Sequence, residues 1–230
     1  MRVSIIIPTY NEAQNIVQLI RFLKNNRSEL LQEIIVSDGG SQDDTLALAE
    51  QAGAVALNSP QKGRAVQLNH GALVAKGDLL YFVHADTIPP QSYLADINQA
   101  IGDGYEIGRY LSKYQSKSWL LKINAFLSRL DTFSGMGGDQ TLFITRKLFK
   151  QSGGFDIRMK IMEEFEFCDR ARKLGKYKII PKPVLISVRK YDNNGWLAVQ
   201  RANYTVFRMY QKGATQQELA SAYKRMLHDH

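Results

Sequence analysis

The chain predicts an α/β fold, a mostly parallel sheet flanked by helices, and three observations carry that expectation. Val3 to Ile7 is a short, nearly continuous apolar run, the pattern of a strand buried on both faces. Ile16, Leu19, Ile20 and Leu23 then recur at i, i+3, i+4 and i+7, the stripe of an amphipathic helix. Such strand and helix signals alternate with short connections through the first hundred residues, which argues for parallel strands covered by helices.

The elements follow in order. Glu33 to Ser37 reads as the second strand. A helix comes next, with Asp43 or Asp44 as its N-cap and Leu46, Leu48 and Ala49 among its apolar positions. Ala54 to Leu57 is a weak third strand. Ala65, Leu68, Ala72 and Leu73 mark another helix, and Leu79 to Val83 a strong fourth strand. Beyond residue 104 the alternation loosens. Tyr105 to Leu111 and Thr141 to Thr145 read as strands. Residues 118–130, 163–175 and 196–211 read as helices, and a last helix ends near Leu227. No repeat and no Pro/Gly/Ser-rich linker divides the chain, so residues 1–230 are expected to form one domain. Its first half, 1–104, would bind one ligand, and residues 105–230 would be an α+β extension with C-terminal helices for a second substrate.

Composition narrows the function classes. Hydrophobic content of 44% and charged content of 23% exclude wholesale disorder. The single Cys168 excludes an internal disulfide and a cysteine-based zinc cluster. No stretch approaches the ~20 apolar residues that span a bilayer, and the first strand leaves no room for a leader. A cytoplasmic protein is expected. Charge is uneven: residues 1–104 hold 7 basic against 11 acidic side chains, and residues 105–230 hold 23 against 11. The second half therefore either meets something anionic or presents a merely solvated basic face.

In parallel α/β sheets ligands bind beyond the carboxyl ends of the strands. The loops there read Pro8-Thr9-Tyr10-Asn11-Glu12, Asp38-Gly39-Gly40-Ser41 and His84-Ala85-Asp86. Asp38 and Asp86 would line one edge, Asp38 in a turn whose glycines allow close approach. A carboxylate such as Asp86 can hold Mg²⁺ or Mn²⁺, which take oxygen ligands and share them with phosphates; the alternative is a plain turn or cap residue. Lys62-Gly63-Arg64 precedes a helix, so its cations and N–H groups could meet a diphosphate. The chain lacks a Walker loop and a Gly-x-Gly-x-x-Gly after the first strand, which counts against P-loop and dinucleotide enzymes. In Glu163-Glu164-Phe165-Glu166, Glu164 shares a helix face with Phe167, Ala171 and Leu174 and so points inward. An inward carboxylate needs a partner or a task, and general base is the natural one. Glu163, Glu166 and Arg170 lie on a neighbouring face and could pair with one another and with solvent. With histidines only at 70, 84, 228 and 230, no His-based metal cage is expected, and His84 reads as a neighbour of the site.

Taken together these segments resemble a known family. Ser4-Ile-Ile-Ile-Pro-Thr-Tyr-Asn-Glu12, Ile35-Val-Ser-Asp-Gly-Gly-Ser41, Lys62-Gly-Arg-Ala-Val-Gln-Leu-Asn-His-Gly71 and Phe82-Val-His-Ala-Asp-Thr87 are similar to the motifs of family 2 glycosyltransferases, of the GT-A type. Gly138-Asp-Gln140, Gly153-Gly-Phe155 and Met162-Glu-Glu-Phe-Glu166 extend the resemblance over nearly the whole chain, with a bacterial arsenosugar-biosynthesis-type subgroup the most similar. The resemblance implies an inverting, metal-dependent transfer of sugar from a nucleotide diphosphate sugar, UDP- or GDP-linked, to an acceptor hydroxyl. It implies that Pro8, Thr9, Tyr10, Glu12, Asp38 and Gly39 hold the base and ribose. Lys62 and Arg64 would lie near the phosphates, with Ala85 beside Asp86, and Asp86 would bind Mn²⁺ or Mg²⁺. Glu164 would be the catalytic base, with Glu163, Gly138, Asp139 and Gln140 on the acceptor side. Two positions depart from the family pattern: His84 stands where the first acid of Asp-x-Asp is usual, and Glu164 where the base is usually Asp.

Two rivals remain at this point: a non-catalytic nucleotide-sugar-binding scaffold, and a sugar-1-phosphate nucleotidyltransferase, whose Gly-rich triphosphate turn the first loop lacks. The apolar residues Trp119, Leu120, Leu121, Ile123, Phe126, Leu127 and Leu130 are flanked by Lys113, Lys117, Lys122 and Arg129. They predict either a core or dimer-forming helix, or one lying on the inner face of the cell membrane, compatible with a lipid-linked acceptor. Nucleic acid is not expected, since no aromatic stacking platform is evident.

Overall fold

The structure is a computed structural model and describes residues 1–25, 28–130 and 141–228. Among these, eight strands form one mixed sheet in the order β3-β2-β1-β4-β7-β6-β8-β5. Four of them, β1 (Val3–Thr9), β2 (Leu31–Asp38), β3 (Val55–Asn58) and β4 (Leu79–Phe82), run parallel. Between them run α1 (Ala13–Asn25), α2 (Thr45–Gln51) and α3 (Arg64–Val74). The chain continues through β5 (Thr87–Ile88), α4 (Tyr93–Gly102) and β6 (Ile107–Tyr114) to α5 (Trp119–Leu127). After it come β7 (Leu142–Thr145), α6 (Arg146–Gln151), α7 (Glu163–Ala171) and β8 (Tyr177–Ile186). Helices α8 (Arg189–Asn194), α9 (Trp196–Gln211) and α10 (Gln216–Met226) end the described chain.

Alternation along the strands builds two cores. Val3, Ile5 and Ile7 of β1, with Leu79 and Tyr81 of β4, join Ile16, Leu19, Ile20 and Leu23 of α1 on one face. Ile6, Ile35, Leu80 and Phe82 turn to the other face, where Leu68 of α3 and Phe167 and Ala171 of α7 cover them. The residues that predicted α1 are thus the ones it buries. At about 25 cal/mol for each Å² of apolar surface, fully burying one such side chain contributes roughly 1.5–3 kcal/mol.

The mixed α/β architecture is the one expected, with three local differences. Leu73 is exposed, because α3 turns Ala65, Gln67, Leu68, Gly71 and Ala72 to the protein body instead. Helix α7 stops at Ala171, so Leu174 is exposed and does not extend the face of Phe167. Strand β8 carries Pro181 and Pro183, which argue against a regular strand. It forms because its ladder with β6 slips there: Tyr110 pairs with Ile180 and Leu111 with Pro183, leaving Pro181 in the irregularity.

Candidate functional site

Strands β1, β2, β3 and β4 are parallel, so their carboxyl ends share one edge and the loops after them converge. Thr9 and Asp38 are register partners at that edge, with Pro8 opposite Ser37. The Asp38 carboxylate is buried and accepts from Thr9 Oγ1 at 2.8 Å, Gly40 N at 2.9 Å, and Ser41 N and Oγ at 2.7 and 2.5 Å. Its two oxygens fold the Asp38–Ser41 turn and tie it to β1. Gly39 faces the Gln67 amide so closely that a Cβ there would lie 3.0 Å from it. That amide donates to Thr9 O at 2.6 Å and Ser37 O at 3.0 Å, bridging the two strand ends. Asn11, in the left-handed region at φ 55°, accepts from Gln42 N, and its own N–H donates to Ser41 Oγ. The two loops thus form one braced unit.

The acidic motif arrives from the other direction. Met162, left-handed at φ 65°, turns the chain into α7, and Glu163 and Glu164 enter side by side, both buried. A non-glycine residue in this region costs of order 1–3 kcal/mol and is concentrated at functional sites. Glu163 is not on a solvated face as expected: Arg64, the first residue of α3, donates to its Oε1 at 3.2 Å. Glu166 and Arg170 do pair, at 2.7 Å.

Glu164 Oε1 lies 2.8 Å from His84 Nε2. Its Oε2 is buried with no hydrogen-bond partner among the described residues. Burial pushes the Glu164 carboxyl above its ordinary range, against the pull of His84 and Arg64 in the opposite direction. Burial alone would lower the His84 imidazole, but the Glu164 carboxylate, helped by Asp86, raises it. Both groups are therefore held above their ordinary values. Arg64, His84, Asp86, Glu163 and Glu164 form one electrostatic cluster.

Two contacts at the same edge have no local sequence signal. Arg189 Nη2 donates to Glu12 Oε1 at 2.8 Å across a separation of 177 residues, and feels the charge of Asp86. Ser187 N donates to Asp86 O at 3.2 Å, fixing the start of α8 beside that loop. Only the excess of basic residues after position 104 pointed towards Arg189. Lys62 places its ammonium 3.3 Å from the centre of the Tyr10 ring. Ala85 is buried behind Asp86. Gly138, Asp139 and Gln140 lie outside the described residues.

A divalent cation is what the family resemblance asks of Asp86. No group of three His, Cys, Asp or Glu side chains suited to a metal occurs among the described residues. Mg²⁺ and Mn²⁺ shared with phosphates need only one or two protein carboxylates. The half-buried Asp86, at the strand-end edge and in one electrostatic cluster with Arg64, offers one such carboxylate, while His84 is turned to Glu164.

Comparison with known proteins agrees with this geometry. The family model described as Glycosyl transferase family 2 matches residues 4–157. Dolichol-phosphate mannosyltransferase of Pyrococcus furiosus is 31% identical over 207 residues, covering 82% of this chain and 57% of its own length. An undecaprenyl-phosphate 4-deoxy-4-formamido-L-arabinose transferase of Aeromonas hydrophila is 29% identical over 52% of this chain and 40% of its own. The chain thus spans about half the length of these relatives. Among solved structures, mannosyltransferase PcManGT from Pyrobaculum calidifontis, in complex with GDP-Man and Mn²⁺, superposes with a TM-score of 0.71 at 18% identity, covering 98% of this chain and 69% of its own. Glucosyl-3-phosphoglycerate synthase from Mycobacterium tuberculosis, with Mn²⁺, UDP-Glc and phosphoglyceric acid, gives 0.64 at 20% identity, covering 93% and 80%. The fold is that of the GT-A glycosyltransferases, and the chain belongs to glycosyl transferase family 2.

Proposed function

We propose that the protein transfers a sugar from a nucleotide diphosphate sugar to an acceptor hydroxyl, with inversion at the anomeric carbon. The observation that carries this reading is Glu164: a buried carboxylate held by His84 through one oxygen, the other left without a partner among the described residues. As the acceptor oxygen bonds to the anomeric carbon, Glu164 takes its proton and the bond to the departing diphosphate breaks. A carboxylate raised by burial is better matched to that proton than an ordinary one. An acceptor that was already a phosphate dianion would need no base, so the buried Glu164 favours a hydroxyl. A lipid-linked acceptor, suggested by the lipid phosphates in the relatives' names, would on this reading react through a hydroxyl and not through its phosphate.

The donor would lie on the braced Thr9–Glu12 and Asp38–Ser41 loops. Lys62, Arg64 and Arg189 supply cations for the diphosphate. Asp86 would hold Mn²⁺ or Mg²⁺, as supported by the Mn²⁺ in both neighbouring structures. Such an ion, when bound, offsets negative charge on the departing diphosphate. Residues 1–104 would then be the donor half of a single domain, and Gly138, Asp139 and Gln140 would face the acceptor. A thermal shift with UDP, GDP, CDP, ADP and dTDP, with and without Mn²⁺, tests the donor reading. Ligand at about 100 times its dissociation constant stabilises by about 2.7 kcal/mol. One nucleotide should raise the transition in wild type, and Asp86→Ala should remove its dependence on Mn²⁺. No shift with any nucleotide would contradict the proposal.

A further inference from the structure

For helix α5 the sequence leaves two readings, a core or dimer-forming helix and one lying on anionic lipid. Its anchor is narrow. Leu121 is its one fully buried residue, Asn124 Nδ2 donates to Tyr191 OH at 3.1 Å, and the buried Arg109 caps its far end. The Arg109 guanidinium donates to Ser128 O at 2.8 Å and Leu130 O at 3.1 Å, satisfying carbonyls that the helix leaves unbonded. The helix is thus held rigidly by one face.

The opposite face is apolar and, among the described residues, uncovered. Trp119, Ile123 and Phe126, with Leu130 in the following turn, recur at steps of four, three and four residues. They are 68%, 40%, 64% and 44% exposed. Exposed contiguous apolar surface of this kind marks an interaction site. Charge says which kind. Lys113, Lys117, Lys122 and Arg129 are all exposed, and residues 107–130 contain no acidic side chain. Two copies joined through this face by a twofold axis would bring those cations against their own kind. An anionic lipid surface would neutralise them while taking up the aromatic side chains.

We propose that α5 docks the protein on an anionic membrane surface, inserting Trp119, Ile123 and Phe126 among the acyl chains with the lysines at the headgroups. Among the described residues no helix is long and apolar enough to cross a membrane, so the contact is peripheral. This inference rests on α5 alone and stands or falls separately from the sugar-transfer reading.

The test is flotation of the whole chain, without donor, on vesicles of phosphatidylcholine alone or with about one third phosphatidylglycerol. Binding should rise at least about tenfold with the anionic lipid and fall away in high salt. Lys117→Ala and Lys122→Ala should each weaken it about fivefold. Trp119→Ser with Phe126→Ser should abolish it; both positions are exposed, so the thermal transition of this variant should match wild type. Equal binding to neutral and anionic vesicles, no binding to either, or full binding by the Trp119→Ser/Phe126→Ser variant would overturn the proposal. So would a dimer, seen by sedimentation, that the same variant dissolves.

Discussion

His84 Nε2 and Glu164 Oε1 are 2.8 Å apart, and these are the two positions at which the chain leaves the family's motif pattern. The two departures therefore meet in one contact. An aspartate at position 84 would face a buried carboxylate; the imidazole instead offers a ring nitrogen that shares a hydrogen bond with it. The longer glutamate reaches back from the start of α7 to meet that ring. On the proposed function, His84 would act through Glu164, as the residue that positions and partners the base.

Replacing His84 with Ala should leave Glu164 Oε1 buried and unsatisfied, at a cost of about 1–3 kcal/mol. Chemical denaturation measures that loss. Turnover should fall more than the donor KM changes, because the Thr9–Glu12 and Asp38–Ser41 loops are not touched. His84→Asp should be worse than His84→Ala in stability, since it sets two acids side by side. His84→Asp combined with Glu164→Asp should recover part of the loss.

Asp38 predicts a different phenotype. Its carboxylate receives four hydrogen bonds from Thr9, Gly40 and Ser41. Asp38→Asn replaces an acceptor oxygen with a donor and leaves buried N–H or O–H groups unmatched, which should cost about 2 kcal/mol. Nucleotide affinity, measured by calorimetry, should fall with it, because the turn that forms the cradle loosens.

How far the sequence could be read follows from how local each determinant is. β1, α1 and β4 were legible because their apolar periods lie within a few residues. Asp38, Asp86 and Glu164 could be singled out because each stands at a strand or helix end. β8 was not legible: its two prolines violate strand rules and are accommodated only by a slip in register with β6. Nor were the Arg64–Glu163, Arg189–Glu12 and His84–Glu164 pairs, which join residues 99, 177 and 80 positions apart. The sequence leaves Glu163 on a face where it could pair with Arg170 or with solvent, because helix geometry alone cannot show that α3 begins against it.

Arg64 is the next handle. Arg64→Ala leaves Glu163 buried without its partner at 3.2 Å and removes a cation from the diphosphate side. Donor KM should rise at least about tenfold, and stability should fall by about 1–3 kcal/mol. Arg64→Lys should restore part of the affinity but not the stability, because an ammonium does not reproduce the guanidinium fork.

The pH dependence follows from the direction of the Glu164 shift. The base must lose its proton to act, so kcat should rise with pH through an acid limb lying above the ordinary carboxylate range, where burial holds that group. A limb at ordinary carboxylate pH would mean that Glu164 is solvated during turnover. The same shift bears on folding. An acid whose pKa is raised on folding contributes stability below its unfolded value and loses it as pH rises through the folded one. Wild type should therefore lose more stability than Glu164→Gln as pH increases from about 4.5 upward.

The most direct measurement pairs binding with turnover in Glu164→Gln, which keeps the size of the side chain and removes its charge. With the nucleotide sugar identified by thermal shift, and Mn²⁺ present, calorimetry should give a donor affinity within about threefold of wild type. Sugar release or transfer should fall about 10²–10⁴-fold, the usual contribution of a general base. Undiminished turnover in this variant would contradict the assignment of Glu164 as the base.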